Sequence, residues 1–268
     1  MGMAIARQTS AANLRALLAG SPIVASHRHG DPRVQDAYSL RCAPQVHGAV
    51  RDAVAYAEGV VGIELNAATD NPIVLAERGE VLSNGNFHGE PVAIALDTLK
   101  LALSELASIS ERRIERMLNP ALSNGLPAFL TEDGGLNSGF MIAQYVAASL
   151  VSEDKVLVHP ASADSIPTSA GQEDHVSMGA TAAVHLWHVC ANVERVLGIE
   201  LLCGAQGVDF LAPKRPGPAV AAAHAAVRDL SPHVDADRSL AAEIEALAGR
   251  IRDGSLLAAV EAGSAPLL

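Results

Sequence analysis

Between Pro91 and the Asn119-Pro120 pair, Val92, Leu96, Leu99, Leu103, Leu106, Ile109, Ile114 and Met117 recur at the three-and-four spacing of one helix face. Proline is tolerated in a helix's first turn and disfavours helix in the residue before it, so the two prolines bracket a single helix of about 28 residues, ~42 Å at ~1.5 Å per residue. A small globule has no need of such a rod. Its presence demands long partners, and a second run provides one: Glu173 to about Phe210 keeps helical period for roughly ten turns of ~3.6 residues, relieved only by Gly179, Gly198, Gly204 and Gly207, where small residues allow close helix contact. Composition agrees. The chain is 49% hydrophobic but only 3% aromatic, and much of the apolar content is Ala, Leu and Val, which suits closely packed helices and not a β-sandwich. The expected fold is all-α, a bundle of long central helices.

The other segments fall around these two rods in three regions, 1–44, 45–212 and 213–268. The first holds a short amphipathic helix, Ala11 to Gly20, then an irregular loop rich in His, Arg, Gln and Tyr, the kind of place where a helical scaffold carries ligand-binding groups. The second opens with a helix from Gln45 to Ala68 that ends at Thr69-Asp-Asn-Pro72. A small hairpin about Glu77-Arg-Gly-Glu80 and a turn-rich loop over 83–91 lead into the Pro91 helix; a further helix spans Ser138 to Val158. Ser169 and Gln172 stand in capping-box spacing, with Glu173 and Asp174 as first-turn acids, so the last long helix is expected to start at Glu173. The third region reads as peripheral helices near 219–230 and 239–251 with a weak end.

A net charge of -11 without a Lys/Arg run argues against nucleic-acid and anionic-membrane partners. Cys42, Cys190 and Cys203 are odd in number, widely spaced and set among apolar residues, so they read as packing thiols of a reducing compartment. No apolar run approaches the ~20 residues of a spanning helix and no cleavable leader is evident, which makes a cytoplasmic location the expectation. Phosphate loops, nucleophile elbows and paired-cysteine motifs are absent. His185 and His188 share a helix face but lack a third ligand, and His27 and His29 lie in a loop; no metal is expected at either pair.

Five loop motifs, Gln35-Asp-Ala-Tyr-Ser-Leu-Arg41, Thr69-Asp-Asn-Pro72, Gly85-Asn-Phe-His-Gly-Glu-Pro91, Leu136-Asn-Ser-Gly-Phe-Met141 and Gln172-Glu-Asp-His-Val-Ser-Met178, resemble in order and spacing the C-terminal half of histidine ammonia-lyase. The resemblance covers about Ser21 to Phe210. It implies long helices that assemble across subunits into a tetramer with shared active sites, and the elimination of ammonia from L-histidine to give trans-urocanate. It also implies roles. Arg41 holds the substrate carboxylate, which suits a guanidinium able to make two parallel hydrogen bonds. Tyr38 bonds near the electrophile or the substrate amine, Gln35 supports the electrophile's oxygen and Phe87 lies against it. Glu173 faces the substrate imidazole, with which a carboxylate can pair or exchange a proton. Tyr38 and Glu173 are thus the expected catalytic residues.

The sequence departs from that family in one decisive respect. The family's electrophile, 4-methylidene-imidazole-5-one, is cyclised from an Ala-Ser-Gly segment, and no Ala-Ser-Gly occurs in the chain. None is therefore expected to form here; a partner chain bearing Ala-Ser-Gly would supply it, along with the tyrosine base of the missing N-terminal half. The expectation is a split lyase subunit, inactive alone, that also self-associates through its long helices. The alternatives are a non-catalytic helical partner or regulator of an intact homologue, and a split lyase or aminomutase acting on another amino acid. Gly171, where asparagine is expected, bears on the substrate.

Overall fold

The computed structural model of the chain describes residues 2–31, 33–264 and 266–268. In chain order the helices are α1 (Gly2–Leu17), α2 (Pro22–Ala25), α3 (Tyr38–Arg41), α4 (Ala43–Glu64), α5 (Glu90–Leu118), α6 (Met141–Leu157), α7 (Gly179–Phe210), α8 (Pro218–Arg228), α9 (Ala241–Arg252) and α10 (Ser255–Ala262). Between α4 and α5, β1 (Ile73–Leu75) and β2 (Glu80–Leu82) form an antiparallel hairpin in which Val74 faces Val81. The all-α expectation holds, and the Pro91 rod is α5, with proline in its first turn.

Helices α5 and α7 share the most extensive interface; α4 lies along α5, α6 fits against both α5 and α7, and α9 packs on the middle of α7 about Gly198. The core sits between them: Ile114 and Leu118 of α5, Leu130 and Phe140 of the following loop, Val189, Val196, Ile199 and Leu202 of α7, and Leu247 of α9 are almost wholly buried. Burying each such side chain stabilises the fold by about 1.5–3 kcal/mol. Alanines at 107, 143, 147 and 205 fill the narrow places, which lets the helix axes approach. Cys203 is fully buried and unpaired, as expected of a packing thiol, whereas Cys42 and Cys190 are half-buried.

Several boundaries differ from those expected: the helix expected over Gln45–Ala68 runs from Ala43 to Glu64, and the one expected from Ser138 starts at Met141. The helix placed over Ala11–Gly20 begins at Gly2 and stops at Leu17, with Gly20 beyond it in the left-handed region at φ +67°. Its extension depends on α4, against which it lies, because Gly48 leaves room there for the Arg7 backbone. The Ser169/Gln172 capping box does not form. Ser169, Ala170 and Gly171 all have positive φ, as does Met178, so the chain turns in the wrong hand for an α-helix and α7 starts only at Gly179. Glu173 and Asp174 are therefore loop residues. Finally, the weak end contains α10, held by packing on α8.

A buried ion pair fixes the segment that leads to this loop. Lys100 is 0% and Asp97 6% exposed, their charged atoms 2.7 Å apart; Lys100 Nζ donates to the His159 carbonyl (2.9 Å) and the Ser162 amide donates to Asp97 (2.7 Å). Thus α5 grips the connector between α6 and the Glu173 loop at two backbone points.

Candidate active site

Tyr38 to Arg41 form a single helical turn immediately before α4. The Arg41 guanidinium carbon stands 4.3 Å from the Tyr38 ring centroid, a cation–π contact that orients both. Tyr38 is 70% exposed; Gln35 and Arg41 are exposed as well. Among the described residues Arg41 has no carboxylate partner, and neither the Tyr38 hydroxyl nor the Gln35 amide has a hydrogen bond. Beneath the turn, Arg113 of α5 donates to the Ser39 carbonyl (3.5 Å) while paired with Glu200 of α7, which also accepts from Ser110 Oγ (2.6 Å). The turn is consequently mounted on the two central rods.

The Thr69–Pro72 and Gly85–Pro91 motifs are one unit. Asn84 donates from its backbone to Asn71 Oδ1 (3.0 Å) and from its side chain to the Asp70 carbonyl (3.0 Å), and Asn86 Nδ2 donates to the Ala68 carbonyl (3.2 Å). Phe87 lies in the short turn Asn86–His88 and is 52% exposed, so it projects from this clasp and does not fill the core.

In the third segment the Thr168 amide donates to the Glu173 carbonyl at 2.9 Å and closes a small loop. Gly171, at φ +87°, occupies the backbone region that glycine adopts freely and asparagine tolerates best among the others. Glycine in place of the expected asparagine thus suits this backbone shape and forgoes the side-chain amide. Glu173 is half-buried; Oε2 accepts a long bond from Thr168 Oγ1 (3.4 Å), and no cation pairs with it among the described residues.

Two histidines join this loop to the Phe87 turn. His88 Nε2 is 3.1 Å from the His175 carbonyl oxygen and 3.2 Å from His175 Nδ1, with the rings stacked at 5.4 Å. The structure therefore ties the Phe87 and Glu173 loops together, while Gln35, Tyr38 and Arg41 make no direct bond to either among the described residues. His88 and His175 lie within the motifs recognised in the sequence, but without a role there. Asp237 had no local signal at all: it accepts from the Ser138 and Gly139 amides at 2.8 Å each and so fixes the Leu136–Met141 motif from about a hundred residues away.

A mostly apolar cavity of about 500 Å³ lies elsewhere, among Met117, Leu201, Val208, Val227 and Ile251. Arg41 and Tyr38 thus present a guanidinium without a carboxylate partner and an uncommitted phenol, and Glu173 a carboxylate without a cation, among the described residues.

The aromatic amino acid lyase family model matches residues 5–229. Over 256 residues the chain is 57% identical to histidine ammonia-lyase of Gloeobacter violaceus, covering 96% of this chain and 50% of that protein. Its fold is similar to the crystal structure of histidine ammonia-lyase from Trypanosoma cruzi (TM-score 0.86, 48% identity, 96% of this chain and 48% of that one). It is equally similar to tyrosine aminomutase from Streptomyces globisporus (TM-score 0.87, 38% identity, 97% and 53%). The chain spans about half the length of the curated relatives it matches. No described helix is long and apolar enough to cross a membrane. Motifs, fold and family match converge: this chain belongs to the aromatic amino acid lyase family.

Proposed function

We propose that this chain is the C-terminal-half subunit of a split histidine ammonia-lyase, active only when a second chain bearing Ala-Ser-Gly completes its site. One observation carries the reading: Gln35, Tyr38, Arg41 and Phe87 are exposed, in a chain that holds the matching motifs but no Ala-Ser-Gly. The residues present fit one side of the family's prosthetic group, since the Gln35 amide and Tyr38 hydroxyl are free to donate and the Phe87 ring is free to pack. The group itself, 4-methylidene-imidazole-5-one, supplies an electrophile when the partner provides it. In this chain Arg41 takes the substrate carboxylate in a bidentate grip. Glu173 pairs with the imidazole, holding or exchanging its proton, and Tyr38 bonds near the departing amine. The net reaction breaks the C–H bond at the β-carbon and the C–N bond at the α-carbon, forms the C=C bond of urocanate and releases ammonium.

Large exposed side chains on the long helices support association. Val54, Tyr56 and Ile63 on α4, Ile94 and Leu101 on α5, Ile142 and Tyr145 on α6, and Val184 and Trp187 on α7 face outward. Covering them, in a tetramer-like assembly with the partner chain, removes a large apolar area from water.

Co-expression with an Ala-Ser-Gly chain from a histidine ammonia-lyase N-terminal half tests the reading. The assembled complex is expected to release urocanate, and Arg41→Ala and Glu173→Gln each to lower kcat/KM by at least ~100-fold, as loss of a charged substrate contact does. A complex bearing the electrophile but inert towards histidine would refute it, and unchanged activity in both variants would favour a structural or regulatory partner. The close fit to an aminomutase supports a second outcome on the same site, a β-amino acid product. Product analysis separates the two.

A further inference from the structure

We propose that His88, Glu90 and His175 form a binding site for a zinc-type divalent cation that clasps the Phe87 turn to the Glu173 loop. The three residues come from two segments, His88 from the turn before α5 and Glu90 from the first turn of α5, and His175 from the loop before α7. One ligand atom from each lies within 4.8 Å of the others, the only such group of three or more found among the described residues.

The spacing matches the chemistry. Zinc–nitrogen bonds of ~2.0–2.1 Å at tetrahedral angles place neighbouring ligand atoms about 3.4 Å apart. His88 Nε2 and His175 Nδ1 are 3.2 Å apart. His88 Nε2 also lies 3.1 Å from the His175 carbonyl oxygen, to which it can donate a hydrogen, leaving the His175 Nδ1 lone pair towards the gap. A cation there replaces that proton and draws on both lone pairs.

Glu90 provides the second, independent observation. Its Oε2 is shielded from solvent and accepts no hydrogen bond; the nearest ring nitrogen is His88 Nδ1 at 3.7 Å, and the carboxylate joins an ion on His88 Nε2 by rotating away from Nδ1. A carboxylate oxygen turned inward without a donor is costly unless something positive reaches it. Position in the first turn of α5 favours a negative charge at Glu90 but gives Oε2 no partner. Two imidazole nitrogens, one carboxylate and a water make a four-coordinate set of the kind zinc and cobalt accept, whereas magnesium and calcium prefer all-oxygen shells. His185 and His188, on the body of α7, belong to no comparable group among the described residues.

The location gives such a site a consequence. His88 adjoins Phe87, and His175 is two residues beyond Glu173, so a bound ion fixes the separation of the aromatic ring and the carboxylate. It does so whether or not the chain takes part in a lyase, and the test needs no turnover.

The chain is stripped with a chelator and titrated with zinc chloride at neutral pH, in parallel with cobalt chloride monitored by visible absorption. The expected result is one ion per chain, a tetrahedral cobalt spectrum, and protection of the 168–178 loop from proteolysis by zinc. His88→Ala and His175→Ala should each weaken zinc binding by ~100-fold or more and abolish the cobalt spectrum, and Glu90→Gln by ~10-fold or more. His188→Ala should change nothing. His88→Gln and His175→Gln replace any alanine variant whose circular dichroism departs from that of the parent. No stoichiometric binding by the parent chain, an octahedral cobalt spectrum, or binding that survives loss of both His88 and His175 would overturn the proposal.

Discussion

Replacing Lys100 with methionine removes the ammonium from a site that water does not reach while leaving the Asp97 carboxylate, 6% exposed, with only the uncharged donors of Ala161 and Ser162. Breaking one side of a buried pair costs about 3–5 kcal/mol, because the other charge is left uncompensated. In a domain of this size that lowers Tm by on the order of 10 °C. The double replacement Asp97→Leu/Lys100→Met leaves no charge behind; it forfeits the two backbone contacts, to the His159 carbonyl and from the Ser162 amide, at about 1 kcal/mol each. The double variant should therefore be more stable than Lys100→Met alone, with a coupling of about 2 kcal/mol or more from the cycle.

The pH dependence of that comparison has a definite sign. Burial pushes the Asp97 carboxyl up, but its bonds to Lys100 and Ser162 outweigh burial and hold it below the ordinary 3.8. A depressed folded-state value gives stability that is present above the unfolded value and lost as pH falls through the folded one. The parent's advantage over the double variant should then be complete at pH 7 and shrink below about pH 4. Urea unfolding followed by circular dichroism measures all four proteins. A cost below ~1 kcal/mol for Lys100→Met, or single costs that simply add, would refute the argument.

Asp154, 1% exposed, is pushed up to about 6, chiefly by burial and further by Glu153, against the lowering effect of the Asn192 amide. A raised carboxyl makes stability fall as pH rises from the unfolded value of 3.8 to about 6, and the penalty persists above that. Asp154→Asn should flatten this window and stabilise the protein at pH 7.5 by up to ~3 kcal/mol, read from denaturant midpoints. Gly139, at φ +54°, has no room for a side chain: a Cβ would stand 2.4 Å from the Phe129 carbonyl oxygen. Gly139→Ala should cost more than ~2 kcal/mol. Gly59→Ala, in the body of α4 with nothing within 4 Å, should gain about 0.5–1 kcal/mol. Thermal unfolding of the two variants gives opposite signs if local backbone geometry governs both.

The candidate site was legible as residue types in order, and less so as an arrangement. Motif spacing singled out Gln35, Tyr38, Arg41, Phe87 and Glu173, yet nothing local indicated that His88 and His175 would join two of the loops, since they are 87 positions apart. Asp237 was equally invisible, because a carboxylate that accepts two distant amides leaves no periodic trace in its own neighbourhood. The loop before α7 was misread for a related reason. Ser-x-x-Gln followed by acids is a sound helix start on local propensity, but three successive left-handed residues and the Thr168–Glu173 bridge override it, postponing the helix to Gly179.

By itself, the sequence determined the two central rods and the all-α class. Apolar residues at helical period, bounded by proline and glycine, can bury their faces only in long helices, and that requirement is local and additive along the chain. Only the tertiary structure decided how far α1 extends, that a last helix forms after Gly254, and that α5 grips the connector ahead of the Glu173 loop through Asp97 and Lys100. Those outcomes rest on contacts between residues far apart in the chain, whose energies exceed the weak local preferences that a sequence displays.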